Sequence, residues 1–291
     1  MSAAALGGPA GAAGRARSRR PLTLSVYRWE LRKLLAQLRT YLGPALLCVL
    51  IVVFVVFESV DRQGGHRENI FAAQITQSGL ATPVLMLLFM SGFFLPVVAA
   101  LVAGDIVANE DGHGTLKTIL TRSIDRGQVF AAKALAAATY ATLVVLFTGT
   151  VATVAGVASW GFHPVTTFSG TVVSAPEALL LVFAINVTYL IPLLAIVCVG
   201  LLLSAATRSS VAAVVATIGV VILLAIVAQI PGLEGIQPYL LTEQLQNWQG
   251  LLRTPTDWAP VAHSAWVCAL YGVPALIGGY LVLLRRDVAG G

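Results

Sequence analysis

The chain has 291 residues, 57% hydrophobic and only 11% charged, with a mean hydropathy of +0.86. A soluble domain carries about 25% charged residues, so a soluble globular fold is excluded, and an all-α integral membrane protein is what long apolar runs with few charges require. The net charge of +5 does not point to nucleic acid, because the Lys and Arg collect beside the apolar spans.

Residues 1–21 are mostly Ala, Gly, Ser and Arg. Such a segment buries too little apolar surface to order itself, and a disordered basic tail is expected. Arg15, Arg17, Arg19 and Arg20 are suited to anionic lipid heads, at roughly 1 kcal/mol each. No apolar core follows the basic run directly, so it does not read as a signal peptide. Residues 22–40 read as an amphipathic helix. Leu24, Tyr27, Leu31, Leu34, Leu35 and Leu38 recur at spacings of three and four, and Arg28, Glu30, Arg32, Lys33, Gln37 and Arg39 take the other face. A basic polar face against a leucine and aromatic face suits the membrane interface, and Trp29 and Tyr41 suit its aromatic belt.

Residues 41–288 then carry six predicted spans. Span one covers about Leu42 to Phe57, with Pro44 expected in its first turn, where a missing N–H costs least. A polar, Gly-bearing stretch, Glu58 to Gly79, follows. Span two covers about Pro83 to Ala103 and contains Phe93, Phe94 and Pro96, the last able to kink it. Span three covers about Gln128 to Ala158, with Lys133 in its first turns and expected to snorkel to the surface. The loop from Ser159 to Glu177 carries Trp160, Phe162 and Phe168 and is expected to lie partly on the bilayer. Spans four (Ala178 to Leu203) and five (Val211 to Ile230) are joined by the short link Ser204 to Ser210, so they should be antiparallel neighbours. Residues 231–262 hold Pro231, Pro238, Pro255 and Pro260, with Leu240, Leu241, Leu245, Trp248, Leu251 and Leu252 near helical spacing. One or two short amphipathic helices on or dipping into the outer leaflet are expected. Span six covers about Ala265 to Leu284.

Between spans two and three lies DIVANEDGHGTLKTILTRSIDR, Asp105 to Arg126, the densest charge in the apolar part of the chain. Gly112 and Gly114 punctuate it, Thr115 can cap a short helix, and Leu116, Ile119 and Leu120 form an apolar face at i, i+3 and i+4. A short amphipathic helix at the membrane surface is expected. Six spans put both termini on one side. The termini, the Asp105–Lys133 region and the Arg208 link hold fifteen Lys and Arg, and the opposite side three, Arg62, Arg67 and Arg253. Basic residues stay inside, so both termini and the Asp105–Arg126 loop are expected in the cytoplasm, with a bacterial plasma membrane the expected location.

Gly104-Asp105, Glu110 with Gly114-Thr115-Leu116 after it, and Arg126 and Lys133 further on resemble the membrane subunit of a type-2 ABC exporter. Such permeases carry E-x-x-x-G-T-L between their second and third spans. The resemblance implies a permease rather than an enzyme. It makes residues 22–40 an elbow helix, the Gly114–Ser123 stretch a coupling helix, and the segment before span six re-entrant helices. It implies that Glu110, Gly114, Thr115, Leu116, Ile119, Leu120 and Arg126 meet or brace a separate ATPase. Two ATPase subunits, holding ATP and Mg, and a second permease, identical or related, would complete the complex. Membrane lipid is a further partner. Glu110 is expected to close a salt bridge to Arg28, Arg32 or Lys33, and Arg126 to pair with Asp125, Glu110 or a lipid phosphate.

The chain itself has no G-x-x-x-x-G-K-[ST] loop for ATP phosphates and no His-Glu-x-x-His or Cys-x-x-Cys. Cys48, Cys198 and Cys268 fall in apolar runs and read as small hydrophobes. Glu110, Asp111 and His113 are the one conceivable metal cluster, but two glycines loosen it and no further ligand is evident, so no metal is expected. His66, His163 and His263 read as interface residues. Phe93, Phe94, Asn186, Thr188, Tyr189 and Gln229 are the candidates to line a substrate path, although membrane helices commonly use such polar residues for interhelical hydrogen bonds. The competing readings are a membrane enzyme or channel-like protein without an ATPase, and an accessory or immunity component.

Overall fold

The computed structural model describes residues 23–63, 78–112, 125–166, 170–207 and 209–285, with the backbone alone at 61–63 and 110–112. The α-helices are α1 (Thr23–Leu35), α2 (Leu38–Gln63), α3 (Ala81–Ser91), α4 (Phe94–Gly112), α5 (Arg126–Trp160), α6 (Ala175–Ala206), α7 (Ser210–Val227) and α8 (Ala259–Arg285). A bilayer core of about 30 Å asks for about 20 apolar residues per helix. Helices α2, α5, α6, α7 and α8 are each long and apolar enough to cross, and α3 with α4 passes the same test as a pair bent by 59°. With that pair counted as one crossing, there are six, within a few residues of the predicted spans.

The crossings alternate in direction, so the bundle has two ends. One holds α1, the start of α2, the end of α4, the start of α5, the link between α6 and α7, and the end of α8. Helix α6 is the centre. It packs against α8, α4, α5 and α7, and against a 3-10 helix, Glu243–Leu252, at the other end. Small residues let the helices approach. Ala132, Ala136, Ala137, Ala141 and Ala152 of α5 are all buried, as expected where van der Waals contact holds membrane helices together.

Two prolines act differently from expectation. Helix α2 starts at Leu38, so Pro44 lies beyond its first turn. A proline removes the bond to the carbonyl four residues earlier, here Thr40. Tyr140 of α5 donates to that oxygen at 3.0 Å. Span two is broken, not merely kinked. α3 ends at Ser91 and α4 begins at Phe94, with Pro96 in the first turn of the second half, where it is tolerated. The break is held from two sides. The Tyr189 hydroxyl, fully buried on α6, donates to Ser91 O at 2.9 Å, and Gln246 Nε2 donates to Ser91 Oγ at 3.0 Å.

Residues 231–262 form two short helices of the 3-10 type, Gln237–Tyr239 and Glu243–Leu252, and the second packs into the bundle. Leu241, Leu245, Trp248, Leu251 and Leu252 are buried. Gln244, also buried, donates to Pro238 O at 2.7 Å and Leu240 O at 3.1 Å. Nearby His263 accepts from Trp266 Nε1 at 3.3 Å and donates to Pro238 O at 2.8 Å. The loop after α5 adds a small exception to the all-α class, an antiparallel pair of two-residue strands, β1 (Val165–Thr166) and β2 (Val172–Val173). Trp160 is buried and Phe162 exposed, while Phe168 lies outside the described residues. His66 does too. The cysteines are free thiols, Cys268 buried and the other two half-buried.

At the same end, the turn before α3 lies on α5. Gly79 N donates to Gly161 O at 3.0 Å, Ser78 Oγ donates to His163 O at 2.6 Å, and a Cβ on Gly79 would overlap the Gly156 carbonyl. Gly79→Ala therefore forces two backbones apart. It should destabilise the protein by about 1–3 kcal/mol, read as a lower melting temperature in detergent, whereas Gly219→Ala, with open space around it, should leave the melting temperature at or above that of wild type.

Candidate functional site

Buried polar and charged side chains gather on four successive residues of α4, Asp105 to Ala108. Lys133, on the third turn of α5, does not snorkel. Its side chain is 0% exposed and its Nζ lies 3.0 Å from Glu30 Oε1 of α1, itself 2% exposed. The same Nζ donates to Ile106 O at 3.0 Å. Isolated burial of either charge costs far more than a membrane helix can absorb, so a lysine with no water within reach needs the carboxylate and the carbonyl together.

This pair fixes the rotation of α1. The sequence put Glu30 on the polar face of an interfacial helix, but it lies in the buried stripe with Val26 and Leu34, while Leu24, Leu35 and Leu38 are exposed on the side away from the bundle. Tyr27 and Leu31 remain partly buried against the core, and Tyr27 bonds Thr139 Oγ1 at 2.8 Å. The expected single helix 22–40 is also two. α1 stops at Leu35, where Thr40 Oγ1 donates to Leu34 O at 2.7 Å and Tyr41 Oη to Leu35 O at 2.8 Å. These side chains satisfy the carbonyls that a helix end leaves open.

The turn between α1 and α2 then presents Arg39 to α4. Arg39 pairs with the buried Asp105 at 2.5 Å, and Ser210, the first residue of α7, donates to the other carboxylate oxygen. Two residues on, Ser204 Oγ of α6 accepts from the amides of Val107 at 3.1 Å and Ala108 at 3.0 Å. Gly104 permits this packing, since a Cβ there would stand 2.9 Å from Val214 Cα of α7. In four residues α4 is thus fastened to the start of α2, to α5, α6 and α7, and through Lys133 to α1.

Helix α4 runs on only to Gly112. Residues 113–124 lie outside the described residues, between Gly112 at the end of α4 and Asp125 before α5. At the second end Asp125 caps α5 by accepting from Gly127 N. Arg126 NH1 donates to Leu284 O at 2.8 Å and Leu283 O at 3.4 Å. A cation on the last carbonyls of a helix is favourable. Gly114, Thr115, Leu116, Ile119 and Leu120 lie outside the described residues, and so does His113. Glu110 and Asp111 lie on α4 in backbone only, so the expected bridge from Glu110 to Arg28, Arg32 or Lys33 falls outside them as well.

The six substrate-path candidates do not converge. Asn186, Thr188 and Tyr189 are buried inside the bundle. Asn186 Nδ2 donates to Val182 O of its own helix at 2.8 Å, and its Oδ1 fills the space above Gly149. The cavity beside it measures only about 10 Å³. Phe93 is exposed and stacks edge-on with Phe94 at 5.5 Å, at the break between α3 and α4. Gln229 is exposed beyond the end of α7. Asn186, Thr188 and Tyr189 thus lie within the packed bundle, while Phe93 and Gln229 lie on its surface.

A family model described as a protein of unknown function, DUF2705, matches residues 46–289. The chain belongs to that family. A comparison with curated proteins finds no match. The matched region contains Asp105, Lys133, Ser204 and Ser210 but stops short of α1 and its turn, so Glu30 and Arg39 lie outside the family match.

Glu30, Arg39, Ser204 and Ser210 were not legible as site residues. One signal was available for Glu30, which falls at i+4 between Val26 and Leu34. Another was Lys133, a charge inside an otherwise uncharged span. Lys133→Met should destabilise the protein by about 3–5 kcal/mol, because it leaves Glu30 buried and unpaired. Glu30→Leu combined with Lys133→Met should recover most of that loss. Thermal unfolding in detergent distinguishes the two, and a single variant as stable as wild type would refute the burial of the pair.

Proposed function

We propose that the protein is the permease subunit of an ATP-driven ABC exporter, with residues 113–124 as the docking segment for a separate ATPase. The observation that carries this reading is the fastening of α4 at Asp105–Ala108, directly before that segment. A push on a loose loop is dissipated locally. A push on a segment held at both ends, by this cluster and by Arg126 on the end of α8, is passed to α1, α5, α6, α7 and α8. That is what a transport subunit driven from outside the bilayer needs.

In this reading the basic end of the bundle is cytoplasmic, by the fifteen-to-three distribution of Lys and Arg, in a bacterial plasma membrane. Helix α1 serves as the elbow helix before the first crossing, and the buried 3-10 helix before α8 corresponds to a re-entrant segment. Two ATPase subunits carry ATP and Mg, and a second permease, identical or related, closes the path. The isolated chain has only small internal space near Asn186, which fits a pathway formed between two permeases. Glu110, Gly114, Thr115, Leu116, Ile119 and Leu120 supply the docking face, and Arg126 braces it.

Co-purification in detergent with ABC ATPase subunits of the same cell tests the reading. Wild type should retain an ATPase, and Leu116→Asp/Ile119→Asp should lose it while keeping the wild-type melting temperature. If wild type retains no ATPase from the whole set, the exporter reading fails.

A further inference from the structure

A cleft of about 310 Å³ opens between the α1–α2 turn, α4 and α7. That volume lies at the lower end of the roughly 300–1,000 Å³ typical of small-molecule sites. Its walls are aliphatic and open to the outside, with Leu42, Leu101, Val211 and Val215 all exposed. Its polar end is formed by Arg39, Asp105 and Ser210. Across the bundle this places a charged group at the level of the interfacial α1 and an apolar slot running from there along the crossings.

The charge at that end is one-sided. Glu30 is the only acidic residue of α1, and Lys133 holds it in the interior. What α1 leaves outside is Arg28 and Arg32, both exposed, and the half-buried Lys33. Of the basic residues, Arg39 is the one that lines the cleft. Its side chain is 46% exposed although paired with Asp105. Nε donates to Gln37 at 3.1 Å and one terminal nitrogen meets Asp105, which, among the described residues, leaves the other terminal nitrogen for a further acceptor. A guanidinium with donors to spare is well matched to phosphate oxygens.

We infer that this cleft is a binding site for one anionic diacyl phospholipid, its phosphate on Arg39 and one acyl chain along Leu42, Leu101, Val211 and Val215. The aliphatic walls take the chain, and Arg39 at the polar end selects the negative head. The bound lipid bridges α2 and α7, two helices on the periphery of the bundle, at the residues that fasten α4. The inference rests on the membrane fold and the cleft, and does not require an ATPase.

Native mass spectrometry of the purified full chain tests it, with phosphatidylglycerol and phosphatidylcholine of identical acyl chains as the probes. Wild type should retain phosphatidylglycerol about five- to tenfold more strongly. Arg39→Gln should bring the two lipids to parity. Val215→Trp fills the slot and leaves the Arg39–Asp105 pair intact, so it should abolish retention of both. This second variant decides the matter even if Arg39→Gln fails to fold. Equal retention of the two lipids by wild type would overturn the inference. So would phosphatidylglycerol retention unchanged in Val215→Trp, including the case in which that variant instead separates a dimer, which would make the slot a contact between copies.

Discussion

A lysine and a glutamate with no access to water hold the base of this bundle together. In a medium of low dielectric neither charge is tolerable alone, and the attraction between them compensates only when geometry is close and the remaining donors are satisfied. Lys133 meets both conditions, with Glu30 on one side and the Ile106 carbonyl on the other. The consequence is geometric. Helix α1 must lie against α5 with Val26, Glu30 and Leu34 inward, and α4 must pass close enough for its backbone to reach the same ammonium. The α1–α2 turn is then positioned to offer Arg39 to Asp105.

The rest of the bundle follows a similar rule, in which polar groups inside the crossings sit where the backbone has lost a partner. Tyr140 donates to the Thr40 carbonyl that Pro44 leaves open. Tyr189 and Gln246 hold Ser91 at the break between α3 and α4. Ser204 meets two amides of α4. In hydrocarbon an unpaired peptide group costs several kcal/mol, so irregular backbone persists only where such side chains reach it. The broken crossing also explains the buried 3-10 segment. The bend makes room for Glu243–Leu252, and Trp248 and Leu245 close that room against α6 and α8.

These features bear on function through residues 113–124. The segment lies between two anchored ends, at the basic end of the bundle, and the proposed ATPase contact would act on a frame rather than on a free loop. The proposed phospholipid would sit against that frame, where α2 and α7 stand apart. A polar cluster built only to stabilise one helix pair would not need to reach five elements within four residues of α4.

Much of this was legible from the chain alone. Six apolar stretches separated by polar links determined the number and order of the crossings, because a bilayer imposes a length and forbids exposed peptide groups. The charge distribution marked which end of the bundle is basic, and the amphipathic period located α1. What the sequence could not fix was which side of α1 packs on the bundle. Leucine spacing marked an apolar face and left Glu30 among the polar residues, but Glu30 is buried against Lys133, more than a hundred residues away. The stop of α1 at Leu35 was equally hidden, since no Gly or Pro lies between Leu22 and Thr40 and the cap comes from Thr40 and Tyr41 folding back. Period and composition are local quantities and determine elements. The partners of buried charges and broken backbones lie across the bundle, and only the tertiary structure decides them.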